Sequence, residues 1–193
     1  SISAGSTVSD YHDSEQQRQI SVSTTLMHFD WQGKKFNMLD CPGYADFVNE
    51  ALSALRVSDV AVVVVHANHG VGVGTDAVWK CATENGIPKV IVVNAFDKEE
   101  TDFDKALAQV REHYGDRVLP LTVPVKTGPG FNQVLDVLRS EVITYADDRS
   151  GKFTEAPATG ALAEQAKQLH GQLIEFVAES DDALMEKFFA QGG

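Results

Sequence analysis

The sequence predicts an α/β protein: a doubly wound, mostly parallel sheet, followed from about Val118 by a small α+β portion. Three observations predict this. Apolar strand-like runs alternate with segments of helical spacing between residues 36 and 115. The run "DVAVVVVHA", residues 59–67, is unbroken in its apolar character, as expected of a parallel strand buried on both faces. Near Val118 the pattern changes, and "VLPLTVPVKTGPGF" carries three of the six prolines.

Each element has its own justification. Residues 20–29, "ISVSTTLMHF", are rich in β-branched side chains, and "DWQGKK" is a Gly-containing turn before "FNMLD", so residues 20–40 read as an antiparallel hairpin. Phe47, Val48, Ala51, Leu52 and Leu55 then recur at helical spacing. After the strand of residues 59–67 come a helix in "TDAVWKCATENG", a strand in "KVIVVNAFD" and a helix in "DFDKALAQVREHYG"; glycines stop both helices. Beyond residue 118 we expect a short strand and turn, a helix in "NQVLDVLRSE", a strand in "VITYA" and a polar loop over residues 147–160. Leu162, Ala166, Leu169, Leu173 and Val177 mark one face of a helix over residues 161–178, and Ser180 caps a last helix reaching Phe189. The division expected is residues 1–117 and residues 118–193.

Composition excludes several function classes. The 193 residues carry 16 Lys plus Arg against 28 Asp plus Glu, a net charge of −12, so the chain lacks the basic footprint of a surface that grips nucleic acid directly. No apolar run has transmembrane length and the opening residues do not form a signal peptide, so no membrane partner is expected. Cys41 and Cys81 have no metal-ligand spacing and suit a reducing, cytoplasmic setting. His66 and His69 in "HANH" lack a third ligand and read as loop residues.

Ligands of open α/β sheets sit beyond the carboxyl ends of the strands, which here read "LDCPGY", "VVHANHG" and "VVNAFDKE". Asp40 can hold a metal-bound water while Gly43, with no Cβ in the way, brings its N–H to a terminal phosphate oxygen. Asn94 and Asp97 lie three apart past an apolar strand. A carboxylate there accepts from guanine N1–H and the exocyclic amine, whereas adenine offers an acceptor at N1.

Together, "TVSDYHDSEQQRQISV", "LDCPGYADF" and "VVNAFDKEETDFDKAL" resemble the GTPase domain of bacterial translation elongation factor G, and most closely its elongation factor G-like relatives. The resemblance covers nearly the whole chain and implies a P-loop GTPase-type sheet, with residues 118–193 as the insertion this family carries in its G domain. Residues 18–22 would belong to the first switch, residues 40–44 to the second switch and residues 94–97 to the guanine motif. The implied ligands are GTP or GDP with Mg2+: Ser21 as the first-switch hydroxyl on magnesium, Asp40 on its water shell, Gly43 on the terminal phosphate, Tyr44 positioning the attacking water, and Asn94 with Asp97 on the base. The implied partner is the ribosome. The alternative is a degenerate, non-hydrolysing G domain that binds a ribosomal or protein partner.

The departures from the family pattern are specific. No G-x-x-x-x-G-K-[ST] phosphate loop occurs in these residues, nor the later Ser-Ala motif that supports the base, so the sheet is expected to be incomplete and the chain a fragment that holds no nucleotide by itself. Gln19 and Ser21 stand where the family has Gly and Thr, Tyr44 where it has His, and Ala95 where it has Lys.

Overall fold

The computed structural model describes residues 7–148 and 150–179. The helix expected from Ser180 to Phe189 lies outside the described residues. The chain divides into two compact units, Ser1–Val65 with Val71–Val92 and His66–Gly70 with Val93–Gly193.

In the first unit a short helix α1 (Asp13–Arg18) precedes strands β1 (Thr25–Trp31) and β2 (Lys34–Asp40). These two pair antiparallel from Thr25↔Asp40 to Trp31↔Lys34, with Gly33 at φ +73° in the turn. The hairpin is the expected one, but β1 starts five residues later than the β-branched run. The reason is local: the N–H groups of Val22 and Ser23 are given to the Glu15 carboxylate, so the chain there is held by a side chain instead of a ladder. A 3-10 turn (Ala45–Phe47) leads into α2 (Val48–Leu55), whose Ala51, Ala54 and Leu55 are buried.

Strand β3 (Ala61–His66), helix α3 (Val73–Glu84) and strand β4 (Lys89–Asn94) follow. Ala61 N–H donates to Pro88 C=O and Ala67 N–H to Asn94 C=O, a constant offset, so β3 and β4 run parallel. The expectation that β3 is covered on both faces is corrected. Val63 and Val65 are buried, whereas Val62 and Val64 on the opposite face are 62% and 59% exposed.

The second unit continues through α4 (Phe103–Tyr114), capped by the Asp102 carboxylate on Lys105 N–H and ended at Gly115. Then β5 (Thr122–Pro124), β6 (Gln133–Asp136), β7 (Glu141–Tyr145) and β8 (Phe153–Pro157) form an antiparallel sheet in chain order, and α5 (Ala161–Ala178) closes the described residues. Two expectations are overturned here. Residues 132–141 form β6 and a turn, not a helix: Arg139 N–H and Nε bond the Asp136 carboxylate at 3.0 and 2.9 Å, and Ser140 takes φ +54°, which reverses the chain into β7. The polar loop of residues 147–160 contains β8, whose residues are all exposed and so show no alternation. Leu135, Val137 and Ala166 are fully buried in the core between α5 and this sheet, with Val123, Leu162 and Leu169 packed around them. Arg139 ties the strands by ion pairs to Glu141 at 3.3 Å and Glu155 at 2.8 Å as well. Among the described residues no helix is long and apolar enough to cross a membrane.

Candidate functional site

Helix α1 sets the geometry of the segment over residues 18–23. Its third residue, Glu15, is fully buried, and the carboxylate accepts N–H bonds from His12 at 3.1 Å and from Val22 and Ser23 at 3.0 Å each. Burial alone pushes this carboxyl up, but the three backbone donors outweigh it and hold it below the ordinary glutamate range. Sequence reasoning missed Glu15. The signal was its place three residues after the His12 N-cap, the position from which a Glu reaches back to a cap N–H. Gln19 adopts φ +57° at the helix C-cap, a conformation glycine takes without strain.

Ser21 is partly buried and donates its hydroxyl to Asp10 Oδ1 at 2.7 Å. Two bonds pin Thr24 nearby: its N–H donates to Glu50 Oε2 of α2 at 2.9 Å, and its Oγ1 donates to Cys41 Sγ at 3.7 Å. The segment holding Ser21 and the segment after Asp40 are thus tied within one unit. Burial pushes the Cys41 thiol up, and the Asp40 and Glu50 charges push it further against the opposing Thr24 bond.

Asp40 ends β2 opposite Thr25, and Pro42 behind it is buried while Gly43 is exposed. A Cβ built at Gly43 would meet no protein atom within 4 Å. Packing therefore does not demand glycine here; what its absence of side chain preserves is open space over the backbone. Tyr44 is 58% exposed and accepts Phe47 N–H at 3.0 Å through its carbonyl, which starts the 3-10 turn and leaves the phenol in solvent.

In the second unit β4 ends at Asn94, which is exposed and whose Oδ1 takes Ala95 N–H at 2.8 Å. Ala95 sits at φ +70°, an uncommon conformation for a residue with a side chain. Phe96 turns inward and is 6% exposed, whereas Asp97 keeps its carboxylate at the surface beside Lys98 Nζ at 3.3 Å. The alternation presents Asn94 and Asp97 outward on a buried aromatic anchor. His66 and His69 stack with ring centroids 4.2 Å apart, and His66 Nδ1 accepts Asn68 N–H, so one ring nitrogen is already used. Among the described residues no group of three or more His, Cys, Asp and Glu is placed to hold a metal ion.

Taken unit by unit, the residues fit the parts of a guanine nucleotide with magnesium incompletely. In the first unit Gly43 has an unobstructed backbone of the kind a phosphate would need, while the Ser21 hydroxyl is engaged by Asp10 and would have to turn from it to reach a cation; in the second unit Asp97 has an exposed carboxylate of the kind a base edge would need. The lysine and amide cradle of a phosphate loop is not among these residues.

Comparison with known proteins gives one consistent result. Residues 2–188 match the family described as the elongation factor Tu GTP binding domain. Over 184 residues the chain is 30% identical to elongation factor G of Mycoplasma pneumoniae, covering 95% of this chain and 27% of that protein. A crystal structure of a Thermus thermophilus protein superposes with a TM-score of 0.89 at 29% identity, over 99% of this chain and 28% of that one. The chain thus spans about a quarter of the length of the relatives it matches. Its α/β fold is that of a translational GTPase G domain with an incomplete sheet, and the chain belongs to the elongation factor Tu GTP-binding domain family.

Proposed function

We propose that this chain serves as the guanine-nucleotide domain of an elongation factor G-like GTPase that couples GTP binding and hydrolysis to ribosome function in the cytoplasm. The observation that carries the reading is the pair of strand ends: Gly43 opening onto empty space after β2, and Asn94 with Asp97 projecting from the Phe96 anchor after β4. GTP and Mg2+ supply the reactive phosphate and its charge neutralisation. Asp40 would orient a magnesium-bound water, the Ser21 hydroxyl would contact the cation, Gly43 N–H would bond a terminal phosphate oxygen, and Asn94 with Asp97 would select guanine. The partner in this reading is the ribosome, met through the whole protein, and residues 118–193 serve as the inserted subdomain.

Base selection gives the direct test. Titrating the chain with GMP or AMP well above millimolar concentration is expected to shift the Asn94 and Asp97 resonances with GMP only. Asp97→Asn should transfer the response to xanthosine monophosphate, because an amide donor replaces the acceptor and xanthine offers a carbonyl where guanine has its amine. Equal responses to GMP and AMP would end the guanine reading.

Tyr44 bears on hydrolysis. A phenol hydroxyl positions water by hydrogen bonding but is a poorer proton acceptor than an imidazole. In the full-length protein, Tyr44→His is expected to raise the ribosome-stimulated GTPase rate by about tenfold or more, below the roughly hundredfold to ten-thousandfold of a fully placed general base. An unchanged rate in a stably folded variant would remove Tyr44 from the water-positioning role.

A further inference from the structure

The base-recognition loop does not support itself. Ala95 at φ +70° and Glu100 at φ +60° are both held in the left-handed region without being glycine, which is costly unless neighbouring structure enforces it. Within the second unit the enforcing segment is the turn Lys126 to Phe131, which precedes β6. Gly128 N–H donates to Phe96 C=O at 2.7 Å, and Thr127 Oγ1 donates to Thr101 C=O at 2.6 Å. Thr101 is itself buried, and its own hydroxyl reaches back to Lys98 C=O at 2.9 Å and Phe96 C=O at 3.2 Å. The side chains repeat this closure. Phe96 lies between Phe103 and Phe131, with ring centroids at 6.0 and 6.2 Å and tilts of 49° and 58°, in a cluster with Ala67 and Ala106. The turn is internally fixed as well: Phe131 N–H bonds Gly128 C=O at 3.0 Å, and Gly128 takes φ +90°.

We propose that the Thr127–Gly128 turn with Phe131 is a positioning clamp that sets the orientation of Asn94 and Asp97 toward a guanine base. The proposal rests on the guanine reading of that loop and adds residues remote in sequence from it. Thr127 and Phe131 touch no base. They act through Thr101 and Phe96, whose fixed backbone decides where the two outward side chains on either side of Phe96 point. Such a clamp makes base affinity depend on the segment that leads into the four-stranded sheet, so that any partner disturbing that segment would alter nucleotide selection.

The test separates the clamp from the base reading. In the 193-residue chain, Thr127→Val removes one hydrogen bond at nearly constant shape, Phe131→Leu thins the ring contact, and Thr127→Ser restores the hydroxyl. Amide hydrogen exchange at Lys98 and Gly128 is expected to rise about fivefold in the first two variants and to return to the original rate with Ser. The GMP-induced shift of the Asn94 side-chain amide should shrink in the same two variants and recover in the third, with the urea midpoint of Thr127→Val little changed. Unchanged exchange in both variants would overturn the clamp and leave the guanine reading standing. Faster exchange with an undiminished GMP response would also overturn it. A wild-type chain that does not distinguish GMP from AMP would overturn the base reading and the clamp with it.

Discussion

Fluorescent GTP or GDP titrated with magnesium into the 193-residue chain is expected to show no saturation at millimolar concentration. The sequence contains no G-x-x-x-x-G-K-[ST], the element that elsewhere supplies several backbone N–H groups, a Lys charge and a magnesium-ligating hydroxyl to the phosphates. Hydrogen bonds to charged groups contribute about 1.5–3 kcal/mol each, so the lack of four amounts to about 6–12 kcal/mol before water recovers part of it. Micromolar affinity corresponds to only about 8 kcal/mol. What remains is one open glycine backbone at Gly43, the exposed Asn94 and Asp97, and a Ser21 hydroxyl already bonded to Asp10. Base contacts of that kind suit the weak GMP response described above and do not reach tight binding. Micromolar saturation by this chain would show that its phosphates are held by residues other than these.

Much of the fold was legible because local signals agreed with packing. The Gly86 and Gly115 stops both take positive φ, at +66° and +90°, and Asp102 caps α4 as its position suggests, so α3, β4 and α4 fell close to expectation. Residues 132–141 were not legible for a physical reason. Val134, Leu135, Val137 and Leu138 have helical spacing, yet Leu135 and Val137 are both buried and the Asp136–Arg139 turn ends the strand pattern before it can register as alternation. Strand β8 gave no signal because both of its faces are solvated, and its pairing with β7 is a backbone matter that side chains do not advertise. Val62 and Val64 depart in the opposite direction, since an unbroken apolar run here has one exposed face.

The site followed the same division. Asp40, Gly43, Asn94 and Asp97 stand at or just past the ends of β2 and β4, where strand-end spacing puts them, with Gly43, Asn94 and Asp97 exposed. The residues that hold them show no such spacing. Thr101, Thr127 and Gly128 act through backbone carbonyls, for which no sequence pattern is specific, and Glu15 lies seven and eight residues before two of the amides it binds.

Glu15 should therefore be the most sensitive single position in the first unit. Glu15→Ala leaves the N–H groups of His12, Val22 and Ser23 without their acceptor; a donor left unpaired away from water costs about 1–3 kcal/mol, and these three are part-buried. Water reaches part of the vacated volume, so the net loss is expected near ~2–4 kcal/mol, with amide exchange at Val22 and Ser23 faster by about thirtyfold or more. Glu15→Gln keeps one acceptor oxygen and the shape of the side chain, and should lose less. The pH dependence has a definite sign. Because the folded carboxyl titrates below the ordinary glutamate range, its contribution is present in full above that range and is lost as pH falls through the lowered folded value. Urea unfolding of the parent chain should thus weaken on the acid side of the ordinary glutamate pKa more steeply than that of Glu15→Gln, which has no proton to take up there. The functional consequence is local: Ser21 stands one residue before the pinned pair, so loosening Glu15 frees the segment that presents its hydroxyl. Unchanged exchange at Val22 and Ser23 in Glu15→Ala would mean that the buried carboxylate is not what holds this segment, and the bonds from Ser21 to Asp10 and from Thr24 to Glu50 would then be what tethers it.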